Sequence, residues 1–539
     1  MALTNTGKLL NNATLIPFLM TLGIDFTQDL IIVLAVSFMV AVVIASSTRL
    51  LVMNFQVRFT AAVGADISTQ VYRKTLAQPY SFHLQHNSSD LTQILTWDTN
   101  LLVSQVLSPL IQLLNNLILV PALCITLVLI DPIVAILCAL ILGTFYVYTY
   151  KIRSKQLKQN SVFVSAAGQE RIKLTQEAIG GIRDIILGHY HNYFVRQYSV
   201  SELRFRQANA KNTIIAVTPL YLVEGVTLLG IALLALFLAR DGNFITVVPV
   251  LGSLGLGAKK LLPALQSTFN SFASIQGSRA SLTRVMVALQ RPESKIVSSS
   301  TAIDPLPLEQ SIEIHHVWFG YDNDDRWVLQ DLNLTIPSRS MVAFVGATGS
   351  GKSTTADLLL GLLQPQKGSI FVDGLPLEGE VVLKRWQKTI AHVPQAIFLS
   401  DGSIAENIAF GISPEDIDFE RVRRAAKLAQ IDNFIEDLPA QYQTYVGERG
   451  IRLSGGQRQR IGIARALYTE ASVIIFDEAT SALDNQTEKE VMDSINHLSS
   501  QFTIILIAHR LTTVQMCDYV FKLSHGQLIF SGSYKEFLE

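Results

Sequence analysis

The chain has 539 residues, with 43 lysines and arginines against 44 aspartates and glutamates, and a formal net charge of −1 at pH 7. This balance argues against a nucleic-acid-binding protein, which usually carries a basic domain or stripe. Only 16% of the residues are charged and the mean hydropathy is +0.33, whereas about 25% of residues are charged in an ordinary soluble protein. The composition therefore favours a membrane protein. The three cysteines are too few and too scattered for a disulfide framework or a metal cluster.

Stretches with almost no charge fill the first half of the chain. A helix that crosses the hydrocarbon core of a bilayer needs about 20 apolar residues. The sequence predicts five such spans, at residues 30–52, 104–130, 133–152, 213–239 and 244–275. Lysines and arginines concentrate between the first and second spans and between the third and fourth. The positive-inside rule therefore places these two connections in the cytoplasm and the amino terminus outside.

The second half of the chain has a different pattern. Residues 290–310 are rich in serine and proline, which predicts a linker. From Ser311 onward, apolar strand-like runs alternate with helical patterns, which is typical of an α/β domain with a mainly parallel sheet. We therefore expect a multi-domain protein, in which an all-α polytopic membrane domain (residues 1–289) precedes the linker (290–310) and an α/β domain (311–539).

A phosphate-binding loop directly follows the apolar run Met341–Val345 and precedes a helical run that begins at Thr354. In such a loop the backbone N–H groups surround phosphate oxygens, the lysine contacts the β- and γ-phosphates, and the final hydroxyl ligates Mg²⁺. The α/β domain is therefore predicted to be a P-loop NTPase domain. The loop consists of Gly346, Ala347, Thr348, Gly349, Ser350, Gly351, Lys352 and Ser353. The next residue, Thr354, is also predicted to contact the nucleotide.

A second apolar strand, Val473–Phe476, is followed by Asp477 and Glu478. Asp477 is placed to hold Mg²⁺ and Glu478 to polarise an attacking water. A third segment, which precedes another helical run, offers backbone N–H groups at a helix N-terminus for an anion. By itself it would be interpreted as an ordinary capped helix start. Its residues are Ser454, Gly455, Gly456 and Gln457.

Together these segments resemble the nucleotide-binding domain of ABC transporters, with Ser454–Gln457 in the family's signature. The resemblance adds a Q-loop at Gln395, a D-loop at Asp484, a switch histidine at His509 and an adenine-stacking aromatic residue at Tyr321. A core tyrosine remains the alternative for Tyr321. The resemblance implies that ATP is sandwiched between the phosphate loop of one subunit and the signature of another. Gln395 would then contact Mg²⁺ and sense the γ-phosphate, which His509 would position.

One chain carries one phosphate loop and one signature, so the resemblance implies a partner that is a second copy, with a heterodimer left open. Residues 445–450, just before the signature, resemble a segment typical of exporters rather than importers. Exporter-type half-transporters have six spans, and residues 15–22 resemble the outer end of the family's first helix. We therefore expect that the sequence is truncated upstream, or its start misassigned, by roughly one helix.

The membrane half resembles the PglK-like flippases of lipid-linked oligosaccharides in two short segments, residues 219–224 and 260–263. This resemblance implies ATP-driven export or flipping of an amphiphile, a lipid-linked oligosaccharide or other glycolipid, in a bacterial plasma membrane with the ATP-binding domain in the cytoplasm. Arg49, Lys259 and Lys260 are predicted to face the substrate path and to attract an anionic head group. For the lysines, the alternative is that they reach up to the lipid phosphates. A general lipid or multidrug exporter and an ABC-type ATPase that regulates a channel are the alternative functions.

Overall fold

The computed structural model describes residues 30–130, 132–239, 244–292, 304–321, 326–477, 502–508 and 514–538. The chain divides into two compact units. The helical unit comprises Met1–Gln78 and Gln85–Ser294, and the α/β unit comprises Pro79–Leu84 and Lys295–Glu539. The short segment Pro79–Leu84 thus groups with the α/β unit although it lies in the first half of the sequence. The domain boundaries at residues 289 and 310 stay a prediction.

The first half of the described chain is helical, and its longest helices have 47 to 49 residues. At about 1.5 Å per residue such a helix is about 70 Å long, more than twice the thickness of a hydrocarbon core. Two π-helical segments, Gln93–Asp98 and Val103–Leu107, lie between shorter helices. The helices are α1 (Leu30–Leu76), α2 (Tyr80–Gln85), α3 (Ser88–Thr92), α4 (Thr99–Leu102), α5 (Ser108–Ile130), α6 (Pro132–Gly180), α7 (Ile182–Leu187), α8 (His191–Ala239), α9 (Phe244–Gly277) and α10 (Arg279–Gln290).

All five predicted spans lie in helical backbone. Within the described residues, three helical stretches are long and apolar enough to cross a membrane, Ala35–Leu76, Ser88–Leu129 and His191–Gly230. They contain most of the first, second and fourth predicted spans. The third and fifth spans lie in α6 and α9, and the side chains of residues 133–141 and 244–254 are outside the description. The predicted connections are largely continuations of the same helices, because helices of this length extend well past a bilayer.

The α/β unit is built on a six-stranded sheet with the strand order β10-β9-β3-β8-β7-β6. Strands β9, β3, β8, β7 and β6 run parallel, and β10 pairs antiparallel with β9. The strands are β1 (Ser311–Phe319), β2 (Leu329–Pro337), β3 (Met341–Val345), β4 (Lys367–Val372), β5 (Leu375–Pro376), β6 (Ile390–Val393), β7 (Val473–Asp477), β8 (Thr503–Ile507), β9 (Tyr519–Ser524) and β10 (Gln527–Gly532).

Beyond β3, the α/β unit also contains seven described helices, several of which pack against this sheet. They are α11 (Lys352–Leu359), α12 (Glu380–Thr389), α13 (Ile404–Ile408), α14 (Phe419–Leu428), α15 (Asp432–Glu436), α16 (Gly455–Tyr468) and α17 (Tyr534–Leu538), with 3₁₀ turns at Pro414–Asp416, Gln441–Gln443 and Glu448–Gly450. All five residues of β3 are buried. Met341 and Ala343 pack into one core with residues of α13, α14 and α16, whereas Val342 and Phe344 pack into the other. Burial on both faces explains the unbroken apolar run of this strand.

A second sheet departs from the expected mainly parallel arrangement. It has four strands in the order β2-β1-β4-β5, and every pair is antiparallel. Alternate residues of β1, such as Ile312 and Ile314, are fully buried in the same core as Trp386 of α12. The strands β1 and β2 are close in sequence, so that antiparallel pairing needs no crossover helix.

The end of the predicted linker is packed against the α/β unit. Leu306 and Leu308 are 7% and 9% exposed and belong to the core beneath the antiparallel sheet. The carboxylate of Asp373 accepts hydrogen bonds from the backbone N–H groups of Glu309, Gln310 and Ser311, at 2.7, 2.8 and 2.9 Å. Burial raises the pKa of Asp373, but these three backbone N–H donors outweigh it, so that the pKa is lowered overall.

The variant Asp373→Asn tests this attachment. Asp373 has φ +50°, a conformation that asparagine tolerates, so the turn is preserved. Because the pKa is lowered in the folded state, the carboxylate stabilises the fold fully above its unfolded pKa of about 4, and the contribution is lost as the pH falls through the lower folded value. We expect the variant to melt a few degrees below the parent at pH 7, with a difference that shrinks below pH 4. Asp401→Asn, at an exposed position, is the control, and an equal loss in both variants would contradict the assignment.

Candidate nucleotide-binding site

The carboxyl ends of four neighbouring parallel strands meet at one edge of the six-stranded sheet. Phe344 of β3 pairs with Ile507 of β8, and Ile507 pairs with Asp477 of β7. Phe476 of β7 pairs with Val393 of the next strand, β6. The same edge therefore carries the phosphate-binding loop after β3, Asp477 at the end of β7 and Gln395 after β6, with β8 between β3 and β7. This is the edge at which α/β sheets of this kind bind ligands.

The phosphate-binding loop has a backbone that only glycine adopts readily at two positions. Gly349 has φ +80°, and a Cβ atom there would meet open space, so the requirement comes from the backbone conformation alone. Gly351 has φ +103° at the N-cap of α11, and a Cβ atom there would lie 2.6 Å from Leu329 Cδ2. Both substitutions would reshape the start of α11, whose first turn carries Lys352, Ser353 and Thr354.

Two polar groups of the loop indicate that it fits a phosphate group. Lys352 is 5% exposed, and its ammonium group donates to the carbonyl oxygens of Gly346 and Ala347, at 2.8 and 3.0 Å. The hydroxyl oxygen of Ser350 is buried and has no hydrogen-bond partner among the residues that the structure describes. A buried cation and an unsatisfied hydroxyl beside a helix N-terminus are a suitable environment for phosphate oxygens.

Two carboxylates lie close together at the same edge. Asp477, at the end of β7, is partly buried. The pKa of Asp357 on α11 is raised to about 6, mainly by burial and also by repulsion from Asp477. Ser353 is exposed one helical turn before Asp357. This hydroxyl with nearby carboxylates suits Mg²⁺, which usually takes only one or two protein carboxylates and completes its shell with phosphate oxygens and water. The described residues contain no larger group of potential metal ligands.

Sequence reasoning missed Asp357. The signal that points to it is its spacing, because residues four apart on a helix share a face, and Asp357 follows Ser353 by four. Gln395 lies two residues beyond the end of β6, with an exposed side chain.

Tyr321 is held beside the phosphate-binding loop. Its hydroxyl lies 3.0 Å from the hydroxyl of Thr354, and its ring packs edge-on against Phe319 at 5.1 Å between centroids. Burial, in the first place, raises the pKa of Tyr321; the hydrogen bond with Thr354 opposes this effect and Asp357 adds to it. The residue is nevertheless 43% exposed. The ring is therefore anchored at its hydroxyl end and keeps accessible surface.

The signature segment forms a capping box. The Ser454 hydroxyl accepts a hydrogen bond from the Gln457 N–H at 3.2 Å, and the Gln457 side chain accepts one from the Ser454 N–H at 2.8 Å. Gly455 and Gly456 form the first turn of α16, and Ser454 is exposed. The local geometry is thus the capped helix start that the sequence allowed.

The remaining predicted site residues fall into two groups. Glu478, Asp484 and His509 lie outside the described residues, as does the side chain of Lys260. Arg49 on α1 and Lys259 on α9 are exposed. Neither belongs to the residues that line a cavity of about 710 Å³ in the helical unit.

The fold and the site define a nucleotide-binding protein that combines a P-loop domain with a set of long apolar helices. Comparison with known families agrees. Residues 4–240 match the ABC transporter transmembrane region, and residues 329–481 match the ABC transporter ATP-binding family.

Individual proteins similar to this chain also include ABC transporters. The chain is 32% identical over 403 residues to the ATP-dependent lipid A-core flippase of Alkalilimnicola ehrlichii, which covers 74% of this chain and 67% of the relative. It is 33% identical over 392 residues to the heterocyst differentiation ATP-binding protein HepA of Nostoc sp., which covers 72% of this chain and 62% of the relative. The matches thus span about two thirds of these relatives. A solved bacterial Atm1-family ABC exporter with ATP bound shares the fold, with a TM-score of 0.81 and 24% identity over 96% of this chain and 90% of its own.

The chain belongs to the ABC transporters, with a transmembrane region and an ATP-binding domain fused in one polypeptide. This confirms the family resemblance and the expected fold class.

Proposed function

We propose that this chain is a half-transporter that hydrolyses ATP with Mg²⁺ and uses the reaction to export or flip an amphiphilic, lipid-like substrate. The observation that carries the proposal is the meeting of the phosphate-binding loop, Asp477 and Gln395 at one sheet edge. This edge belongs to a chain that also carries helices long and apolar enough to cross a membrane.

The site residues take complementary roles in this proposal. The loop backbone and Lys352 hold the phosphates, while Ser353, Asp477 and Gln395 hold Mg²⁺. When bound, the metal would supply positive charge that offsets the charge developing on the γ-phosphate. Glu478, which follows Asp477, orients and polarises the attacking water, and His509 positions the γ-phosphate. Tyr321 stacks on adenine with its accessible ring surface.

A second copy of the chain completes each site. Ser454, Gly455, Gly456, Gln457 and Asp484 of that copy face the nucleotide, because one chain supplies one phosphate-binding loop and one signature. The N-terminus of α16, a helix of 14 residues, offers backbone N–H groups to a phosphate. A heterodimer with a related chain would build the same composite sites.

The lysine and arginine distribution supports a multi-pass protein with its ATP-binding domain in the cytoplasm. A bacterial plasma membrane is the proposed location, since the relatives named above are bacterial. One of them is named a lipid A-core flippase, which supports a lipid-like substrate here. We propose a lipid-linked oligosaccharide or another glycolipid, with a general lipid or multidrug exporter as the alternative.

Reconstitution in liposomes tests the proposed function. Addition of ATP and Mg²⁺ should move labelled lipid between leaflets in liposomes that contain the parent protein, and not in those with Lys352→Ala, which lacks the phosphate-binding ammonium group. If the protein hydrolyses ATP but moves none of a panel of glycolipids, phospholipids and hydrophobic drugs, transport is excluded and an ATPase that regulates a channel is favoured.

The role of Tyr321 gives a separate prediction. Tyr321→Ala should weaken ATP binding about 5- to 100-fold, the range for loss of one aromatic–base stack, whereas Tyr321→Phe, which loses only the bond to Thr354, should stay close to the parent. Binding of tripolyphosphate, which has no base, should be the same in all three proteins. Competition against labelled nucleotide measures both ligands, and a parallel loss of tripolyphosphate binding in Tyr321→Ala would assign the ring to the fold instead.

A further inference from the structure

The cavity of about 710 Å³ in the helical unit has an unusual lining. Its volume is in the range of small-molecule sites, about 300–1,000 Å³. Nine serine or threonine hydroxyls and the indole ring of Trp97 line it. Among the lining residues, all within the described part of the chain, none is Asp, Glu, Lys, Arg or His. The lining also includes six side-chain amides, those of Gln56, Gln105, Gln112, Asn209, Asn212 and Asn270.

The polar side chains recur at helical spacing, so that each helix presents one polar face to the cavity. Ser104, Ser108 and Gln112 follow one another every four residues. Side chains on the same helix that do not line the cavity include Leu117 and Ile118, which are 71% and 76% exposed. Polar groups in an apolar environment carry a large free-energy penalty unless they find partners. A polar face turned to a cavity therefore indicates a polar occupant.

Part of this polarity joins the helices to one another. Asn115 on α5 donates to Gln56 on α1 at 3.1 Å, and Asn160 on α6 donates to Asn212 on α8 at 3.2 Å. Each of these bonds uses one polar atom of the lining amide and holds it in place. A carboxamide can make several hydrogen bonds, as donor and as acceptor, so the lining amides keep capacity for a ligand.

An aromatic ring lies among these amides. Trp97 is 37% exposed, and its ring packs edge-on against Phe205 with 5.8 Å between centroids. Trp97 belongs to the π-helical segment Gln93–Asp98, and Gln105 belongs to the second one, Val103–Leu107. Such segments are frequent at functional sites, because they change the direction of the side chains they carry.

We propose that this cavity binds the uncharged, polyhydroxylated head group of the transported amphiphile, a saccharide unit. The inference rests on the proposed function, in which an amphiphile is moved. A sugar hydroxyl donates and accepts hydrogen bonds, as a carboxamide does, and the apolar face of a sugar ring can pack on an indole. A phosphate only accepts, and its charge would require cations to offset desolvation. The charged linkage of a lipid-linked saccharide therefore lies outside this cavity, where Arg49, Lys259 and Lys260 remain candidates to hold it.

The test uses the full chain in liposomes with ATP, Mg²⁺ and two labelled lipids, a neutral diglycosyl diacylglycerol and anionic phosphatidylglycerol. The parent protein should move the glycolipid at least about fivefold faster than phosphatidylglycerol, because one lost hydrogen bond has an effect of about this size. Asn209→Leu should lower glycolipid movement per ATP hydrolysed by a similar factor. Asn209→Gln, which keeps the neutral carboxamide with its donor and its acceptor, should stay within about twofold of the parent. Gln207→Leu is the matched control, since Gln207 is exposed on the same helix and does not line the cavity.

The outcomes separate this inference from the proposed function. Equal movement of the two lipids by the parent protein would overturn the saccharide assignment and leave transport of an amphiphile standing. A loss in Asn209→Leu that is matched by Gln207→Leu, or that follows only a lower melting temperature, would assign Asn209 to helix packing and overturn it too. If ATP moves neither lipid nor any other amphiphile, the proposed function itself fails.

Discussion

Replacement of Glu478 by glutamine is expected to lower ATP hydrolysis by about 10²-fold or more, the usual scale for a lost general base. Glutamine keeps the size of the side chain but cannot accept a proton from water. ATP should still bind, because Lys352 and the phosphate-binding loop are unchanged, and the two ATP-binding domains of a dimer should remain closed around it. Phosphate release and retention of labelled ATP by the purified protein measure the two quantities separately.

Two further variants frame this result. Glu415→Gln changes a glutamate in an exposed 3₁₀ turn and should hydrolyse ATP at the parent rate. Lys352→Ala should lose ATP binding as well as hydrolysis, because it removes the ammonium group that we propose contacts the phosphates. Parent-like hydrolysis in Glu478→Gln, together with an active Lys352→Ala, would refute the assignment of the site.

Replacement of Asp98 by asparagine is expected to have a large effect on stability. The residue is fully buried, its carboxylate lies 2.8 Å from Arg284 Nε, and it accepts a hydrogen bond from Ser281 at 2.7 Å. Arg284 also pairs with Asp90 at 2.6 Å. Removing one partner of a buried ion pair usually costs about 3–5 kcal/mol, since the other charge stays buried without full compensation. Asp98→Asn should therefore lower the melting temperature of the purified protein by several degrees, and salt should change the effect little.

An exposed ion pair in the same unit provides the comparison. Lys173 and Glu177 are 3.7 Å apart and more than half exposed, and such pairs contribute at most about 1 kcal/mol. Glu177→Gln should leave the melting temperature nearly unchanged. The double variant Asp98→Asn/Arg284→Met should be more stable than the sum of its single variants predicts, because the charge that lost part of its compensation is removed as well. Strict additivity would contradict the coupling of Asp98 to Arg284.

Much of the fold could be predicted because its signals are local. The run Met341–Val345 followed by the glycine-rich loop predicts a strand, a loop and a helix without reference to any other part of the chain, and the structure contains these three elements. The apolar spans are equally local, and all of them are helical. The lengths of the helices were not predicted, because charged residues such as Lys151 and Arg153 continue a helix as readily as they begin a loop.

The antiparallel sheet and the carboxylate of Asp357 show where prediction stopped. Residues of β1 pair with β2 and also with β4. The residues of a single strand do not specify which distant strand it pairs with. In the sequence, Asp357 is an ordinary polar residue of a predicted helix. In the structure, β7 lies next to α11, and Asp357 is therefore close to Asp477.

The residues alone were enough to predict the family and the order of the two regions and to name candidate residues for the nucleotide site, because these predictions depend on short motifs whose chemistry needs fixed spacings. Which polar residues lie around one cavity could be seen only in the folded chain. The amides of Gln105, Asn209 and Asn270 are far apart in the chain and individually unremarkable, yet they line one cavity. Arg49 and Lys259, which were predicted to face the substrate path, do not line it. Packing of helices fixes the neighbours of a side chain, whereas helical periodicity specifies only the face of the helix on which the side chain lies.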